Sequence, residues 1–279
     1  MRPQAARVLL TGAGGGIGQP VAHALLKAGA AVMLVGRSSE RLRALAAQLA
    51  IDTGVNDSRI NCQEADVTRI EHIARLASQA QAWQCNVVVH GAGLPAFGSL
   101  KTQDSMQLQA VLQTNLVAPM LLTQALLRHL QQLPHAQVIC IGSALGRIGL
   151  PGYSVYSASK FGLRGFAEAL RRELRESHVK VQYLGPRSTD TPFNDARVGD
   201  YNRATGTAVD RPERVAIELM RLLRSEAAER FYGFPESFAV RLNGIVPSWL
   251  DGAFKRHSRQ LPGAGSRLDA NAMPRHMLD

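Results

Sequence analysis

Short apolar runs and amphipathic stretches take turns along this chain. "ARVLLTG" is an apolar run that ends in glycine, and "GQPVAHALLKAG" follows with apolar residues at helical spacing, closed by Gly29. The same alternation then repeats. "AAVMLVGR" precedes the helical "SSERLRALAAQLA", "SRINCQEADV" precedes "TRIEHIARLASQAQAW", and the valine-dense "CNVVVHGAG" precedes a helical stretch from Gln103 to Leu133. "AQVICIGS" leads to the long helix in "YSVYSASKFGLRGFAEALRRELRES", "HVKVQYLGP" to the helix in "RPERVAIELMRLLRS", and "ERFYG" makes a short last strand. The strands are continuous apolar runs, not alternating ones, which means burial on both faces. Strict strand–helix alternation then predicts an α/β protein with a seven-stranded, mostly parallel sheet flanked by helices.

No internal repeat or low-complexity linker divides the 279 residues. They read as one domain over 1–233, a helical extension over 234–260 and a disordered Gly/Pro/polar tail over 261–279. The net charge of +10 raises the question of an anionic partner. The arginines, however, alternate with glutamates at helical spacing in "RSSERLR", "LRRELRES" and "ERVAIELMRLLRS", and aromatics make up only 5% of the chain, so no nucleic-acid partner is expected. Cys62, Cys85 and Cys140 are scattered and form no C-x-x-C pair, which argues for buried thiols over a disulfide framework or a metal site. The longest apolar stretch, "LVAPMLLTQALL", is interrupted by Pro119, Thr123 and Gln124 and falls short of the ~18 residues of a membrane span. "MRPQAARVLL" has no apolar core long enough for an export signal, so the expected location is the cytoplasm.

The first candidate chemistry is "TGAGGGIG", Thr11 to Gly18, between the first strand and the first helix. Gly12, Gly14, Gly15, Gly16, Ile17 and Gly18 would turn the backbone sharply, let it approach a ligand closely, and aim helix N–H groups at a pyrophosphate. At the end of the second strand, about twenty residues on, a dinucleotide site for NAD usually carries a carboxylate. Here stand Gly36, Arg37 and Ser38. A guanidinium beside a small residue suits a 2′-phosphate, so NADP is expected in preference to NAD.

From Arg7 to Gly233 the sequence resembles the short-chain dehydrogenase/reductase family. Asp66 and Val67 match the pair that holds the adenine ring, and "HGAG", with Gly91, Ala92 and Gly93, stands where the family has N-N-A-G. Asn115 in "QTNLVAP", Ser143 in "CIGSALG", and Tyr156 and Lys160 in "YSASK" match the catalytic asparagine, serine, tyrosine and lysine. "GPRSTDT" keeps Pro186 and Thr191 of P-G-x-x-x-T, with Thr189 between them. The resemblance implies a Rossmann-type doubly wound fold and an NADP(H)-dependent oxidoreductase that interconverts a carbonyl and an alcohol. It implies a homodimer or homotetramer, with the apolar faces of Leu116–Leu127 and Phe161–Leu170 suited to the contact. A non-catalytic NADP-binding sensor or scaffold of the same fold is the alternative.

The chain has five lysines against twenty-seven arginines, so a lysine four residues after a tyrosine stands out. That spacing stacks the two on one helix face. An ammonium there is expected to lower the phenol's pKa from about 10 toward the working range of acid–base catalysis. Ser143 would hydrogen-bond the substrate oxygen. By resemblance, Lys160 also holds the nicotinamide ribose, Asn115 holds a water for proton supply, and Thr191 with the backbone near Ser188 and Thr189 binds the carboxamide. Two departures stand out: Gly91 replaces an asparagine that steadies the middle strands, and Arg187 replaces a glycine. Arg187 is either a surface cation or a guanidinium near the cofactor diphosphate or the pocket mouth.

Substrate recognition is expected in the long polar loop "RSTDTPFNDARVGDYNRATGTAVDRP". In the extension, Phe238, Leu242, Ile245, Trp249 and Phe254 fall roughly on one helical face, and Pro247 should kink or divide it. Packing on the domain or an oligomer partner, a cover over a lipophilic substrate, and a peripheral membrane contact through 236–259 with Lys255, Arg256 and Arg259 at the head groups all fit that face. The substrate is a small-molecule carbonyl or alcohol, tilted toward the lipophilic by that face.

Overall fold

The computed structural model describes residues 1–233, 243–244, 251–252 and 254–261. Its strands are β1 (Arg7–Thr11), β2 (Ala31–Gly36), β3 (Ile60–Glu64), β4 (Val87–His90), β5 (Ala136–Ile141), β6 (Val179–Gly185) and β7 (Glu229–Phe231). They form one sheet in the order β3-β2-β1-β4-β5-β6-β7, and every pairing is parallel. The central strands β4 and β5 are buried at every position, while the edges β3 and β7 are half-covered. That gradient explains why the valine-rich and isoleucine-rich runs sit in the middle.

Successive side chains on each strand point to opposite faces, so the sheet has two cores. On one side α1 (Gly18–Lys27), α2 (Ser39–Thr53) and α8 (Pro212–Ser225) bury Val21, Leu25, Leu42, Leu219 and Leu223 against Val8, Leu10, Val32, Leu34 and Val89. On the other, α3 (Ile70–Ala82), α5 (Ala118–Gln132) and α6 (Ser154–Glu173) bury Leu76, Leu122, Leu126, Leu163 and Leu170 against Leu9, Met33, Val88 and Val138. β1 pairs with β2 on one side and β4 on the other. The chain therefore reverses its direction of travel across the sheet there, and a crevice opens at the carboxyl ends of the strands.

Three features depart from the sequence pattern. The stretch from Gln103 to Leu133 is α4 (Ser105–Leu112), a π turn (Gln113–Val117) and α5 in continuous succession. Pro119 therefore does not break it. A proline cannot donate to the carbonyl four residues back, that of Asn115, and the helix widens into the π turn at that point. The resulting helix, Ser105–Gln132, has 28 residues and a window of mean hydropathy 1.4, so by length and composition it is long and apolar enough to cross a membrane. Here Leu122, Leu126 and Leu130 are spent on the sheet.

The polar excursion after β6 contains α7 (Ala196–Thr205), capped by the Asp195 side chain on the Val198 N–H and ended by Gly206. Only Val198, Tyr201 and Asn202 of that helix are buried, too few to leave an amphipathic signature. In the extension, Phe238, Leu242, Ile245, Pro247 and Trp249 lie outside the described residues, as does most of the tail. Phe254 packs with Ile148, Leu150 and Phe231, and a short helix, Lys255–Arg259, follows it. The His257 ring there meets Tyr201 at 5.7 Å between centroids.

Candidate active site

The glycine turn leaves β1 at Thr11, whose hydroxyl accepts from the N–H groups of Gly91 (3.0 Å) and Ala92 (3.2 Å) after β4. This stitch holds the two strands that flank the crevice, in place of the side-chain bond that the asparagine-to-glycine departure removes. Gly91 itself needs to be small, because a Cβ there would lie 2.7 Å from the Thr11 carbonyl oxygen. Gly12 has φ +69°, and its Cβ would be 2.7 Å from the Gly91 carbonyl oxygen, so the first turn of the loop admits only glycine. Gly14 has free space where its side chain would be, and a Cβ on Gly16 would lie 2.5 Å from the Thr191 Cβ across the crevice. The turn thus offers bare backbone and the start of α1 to whatever enters.

The crevice is a cavity of about 660 Å³. Gly12, Gly14, Gly15, Gly16, Ile17 and Gly18 form its floor, and Arg37, Asp66, Val67, Gly91, Ala92 and Gly93 line one end. Ser143, Tyr156, Lys160, Pro186, Arg187, Thr189 and Thr191 line the other. Arg41, one turn into α2, stands in the wall beside Arg37; the Ser38 side chain caps α2 by accepting the Arg41 N–H. Partial burial works to raise the Asp66 carboxyl. The bonds from the Thr68 hydroxyl and N–H and the fields of Arg37 and His72 outweigh it and hold the group below the usual carboxylate range.

Ser143 stands two residues past the end of β5, and its Oγ accepts from the Leu145 N–H at 3.1 Å. Tyr156 and Lys160 lie one turn apart on α6, with the Lys160 Nζ 5.6 Å from the Tyr156 ring centroid. That nitrogen donates to the Ile141 carbonyl at 3.2 Å. Burial, and not the neighbouring lysine, dominates the phenol here. Burial pushes the Tyr156 phenol up to about 12, opposed by a bond with Ser143, and pushes the Lys160 ammonium down to about 8. Removing both groups from water outweighs their proximity, since the cation is aimed at a backbone carbonyl.

Asn115 sits in the π turn, buried, and its amide clamps the Leu94 backbone. Its Oδ1 accepts from the Leu94 N–H (2.7 Å), and its Nδ2 donates to the Leu94 carbonyl (3.0 Å) and the Ser159 Oγ (3.2 Å). The side chain is therefore committed to fixing the cavity wall. Arg187 borders the cavity, but its guanidinium grips Asp210 through two bonds of 2.9 and 2.8 Å. The pair is 18% and 14% exposed, so Arg187 is not a solvated surface cation; it stands in the cavity wall with its guanidinium held by Asp210.

Beyond Tyr156 the cavity wall is aromatic. Phe97 meets Tyr153 at 4.9 Å and Tyr201 at 5.0 Å, and Tyr156 meets Phe193 at 6.0 Å. Leu94, Pro95, Leu145, Leu150 and Val198 complete this end. The charged residues among the described lining are Arg37, Arg41, Asp66, Lys160 and Arg187. The sequence reading missed Phe97 and Tyr153. The spacing of Tyr153 three residues before Tyr156, on the same helix face, could have revealed the latter.

A glycine turn at the switch point of a parallel sheet, with serine, tyrosine and lysine gathered across the crevice, defines the dinucleotide-binding class of α/β oxidoreductases. The sequence profile described as short chain dehydrogenase matches residues 6–202, and the chain belongs to the short-chain dehydrogenase/reductase family. It is 31% identical over 202 residues to 17-beta-hydroxysteroid dehydrogenase type 3 of Rattus norvegicus, covering 72% of this chain and 64% of that enzyme. It is 31% identical over 193 residues to 3-ketodihydrosphingosine reductase of Bos taurus, covering 67% of this chain and 57% of that enzyme. The chain thus spans less than two-thirds of either relative. Among solved structures, a short-chain dehydrogenase from Streptomyces avermitilis superposes with a TM-score of 0.75 at 25% identity, covering 91% of this chain and 98% of that one. A short-chain dehydrogenase from Burkholderia cenocepacia in complex with NADP gives 0.71 at 27% identity, covering 82% and 96%.

Proposed function

We propose that this protein is an NADP(H)-dependent oxidoreductase that reduces an uncharged, apolar ketone or aldehyde to the alcohol. One observation carries the reading: Ser143, Tyr156 and Lys160 line the same cavity as the glycine turn and Arg37, with an aromatic wall beyond them. The NADP complex of the Burkholderia cenocepacia relative supports the choice of cofactor, as does the basic pair Arg37 and Arg41 where an NAD site would carry an acid. The steroid and sphingoid names of the two mammalian relatives support an apolar substrate.

The residues present fit a dinucleotide. The glycine turn and the α1 N-terminus would hold the diphosphate, Arg37 and Arg41 would take the 2′-phosphate, and Asp66 and Val67 would border the adenine. Lys160 takes the inner ribose, and Thr189 and Thr191 border the carboxamide. The cofactor, when bound, supplies the hydride. Tyr156 gives its proton to the carbonyl oxygen, and Ser143, whose Oγ already accepts from Leu145, keeps its own proton for the same oxygen. Binding an anion in the cavity favours the Lys160 ammonium, which in turn lowers the phenol from its buried value. Asn115 holds the wall at Leu94, and Pro119 leaves its main-chain carbonyl without an α-helical donor and so able to hold a proton-relaying water.

The test is NADPH consumption with a panel of steroid-like, long-chain and aromatic ketones beside charged keto acids. Turnover of the apolar ketones is expected, with Tyr156→Phe lowering kcat by on the order of a thousandfold. Equal turnover by Tyr156→Phe would refute the mechanism. Tight NADPH binding with no turnover across the panel would show a nucleotide sensor instead.

A further inference from the structure

The tyrosine of β6, Tyr183, is 2% exposed and lies behind the catalytic wall, outside the cavity lining. Its position in an apolar strand suggests a core side chain, yet its hydroxyl serves a specific place. It accepts from the Ser143 N–H at 3.0 Å and lies 3.0 Å from the Ser143 carbonyl oxygen, to which it donates. The Lys160 carbonyl oxygen is 3.4 Å away. One phenol therefore spans the main chain of the serine after β5 and the main chain of the lysine turn on α6.

The surroundings are cut to fit it. A Cβ on Gly142 would lie 2.0 Å from the Tyr183 Cζ, and one on Gly146 would lie 2.1 Å from its hydroxyl oxygen. The two glycines that bracket Ser143 thus leave the space that the phenol fills. On the far side the ring packs against Phe231 of β7, 5.7 Å between centroids. Its own turn adds a further main-chain bond, the Gly146 N–H donating to the Ser143 carbonyl at 3.0 Å. Without the phenol, the Ser143 N–H would be a buried donor with no partner among the described residues.

We propose that Tyr183 is a positioning residue for the reaction, setting the distance between Ser143 and the Tyr156–Lys160 turn from the core between the sheet and α6, an inference that rests on the reductase reading above. A catalytic hydroxyl displaced by a fraction of an ångström loses rate without losing ligand affinity. The variant Tyr183→Phe keeps the ring packing and removes the bonds. The expected result is a kcat on the order of tenfold to a hundredfold lower, with the KM for NADPH and for the ketone within about twofold. Phe231→Leu is the control. It loosens the same ring from the other side, so it should lower the melting temperature and leave kcat near that of the parent when assayed well below melting. An unchanged kcat in Tyr183→Phe, or a loss in both variants that tracks melting temperature, overturns the proposal.

A third arm needs no variant: in the parent protein the Ser143 amide should exchange its hydrogen as slowly as the amides of β5, and fast exchange also overturns the proposal. This arm decides the matter if Tyr183→Phe does not fold. The failures are separable. An inactive parent refutes the reductase reading, whereas an active parent with an equally active phenylalanine variant refutes the positioning role alone.

Discussion

Lys160→Met should make the protein more stable while abolishing its activity. The lysine is 4% exposed, and among the described residues its ammonium donates to the Ile141 carbonyl at 3.2 Å. Burial depresses its pKa from 10.5 to about 8. The unfolded chain therefore binds the proton more tightly, and carrying the charge into the fold costs about 3 kcal/mol at pH 7, at about 1.4 kcal/mol per pH unit. Methionine fills the same channel with no charge. Leaving the Ile141 carbonyl without its donor returns about 1 kcal/mol, for a net gain of about 2 kcal/mol.

The sign can be checked with pH. Between about 8 and 10.5 the folded lysine is already neutral while the unfolded one is still charged, so the lysine's cost shrinks as pH rises through that window. The methionine variant's advantage should therefore be largest at pH 7 and smaller by about 1 kcal/mol at pH 9. Cys140 and Tyr156, both pushed up to about 12 by burial, stay protonated at pH 7 and 9 in either folded protein and nearly cancel in the difference. Urea unfolding of the ligand-free proteins at the two pH values measures it. A methionine variant no more stable than the parent, or an advantage that does not shrink, would show that the ammonium is better solvated than its burial implies.

Two further outcomes follow from other parts of the fold. Burial holds His90 down to about 4, with its Nε2 on the Thr123 hydroxyl at 2.8 Å. Its contribution to stability is present above about 6.5 and is lost as pH falls toward 4, by about 3 kcal/mol. His90→Asn should flatten the acid limb of the urea midpoint, and parallel limbs would count against the assignment. Arg37→Ser should weaken NADPH binding tenfold to a hundredfold, about 1.5–3 kcal/mol for a charge-assisted bond, and leave NADH nearly unchanged. Equal losses for both nucleotides in a fluorescence titration would place the guanidinium away from the 2′-phosphate.

Much of this arrangement was legible in the sequence because it follows short-range rules. Apolar runs of valine and isoleucine can only be buried strands, and the segments between them carry helical spacing, so the parallel sheet follows. The placement of Ser143 at a strand end and of Tyr156 and Lys160 on one helix face needed nothing more. What the sequence hid depends on three dimensions. The Arg187–Asp210 clasp joins residues on either side of α7, and no spacing rule pairs them. The pKa order of Tyr156 and Lys160 depends on how far each is withdrawn from water, which a four-residue separation does not encode. α7 went unseen because a mostly solvated helix buries too little to imprint a period. Phe97 and Tyr201 meet only because the loop after β4 and helix α7, distant in sequence, converge at the same rim.

The bridge between Thr189 and Asp210 pins together the two ends of the excursion that carries Phe193, α7 and Tyr201. Such a closure makes the enclosed stretch a cassette. Its length and composition can drift, or be exchanged for another, without β6 or α8 having to shift. In the proposed reductase, substrate contacts on that stretch could then change while Ser143, Tyr156 and Lys160 stay in place, provided a graft between relatives keeps Thr191.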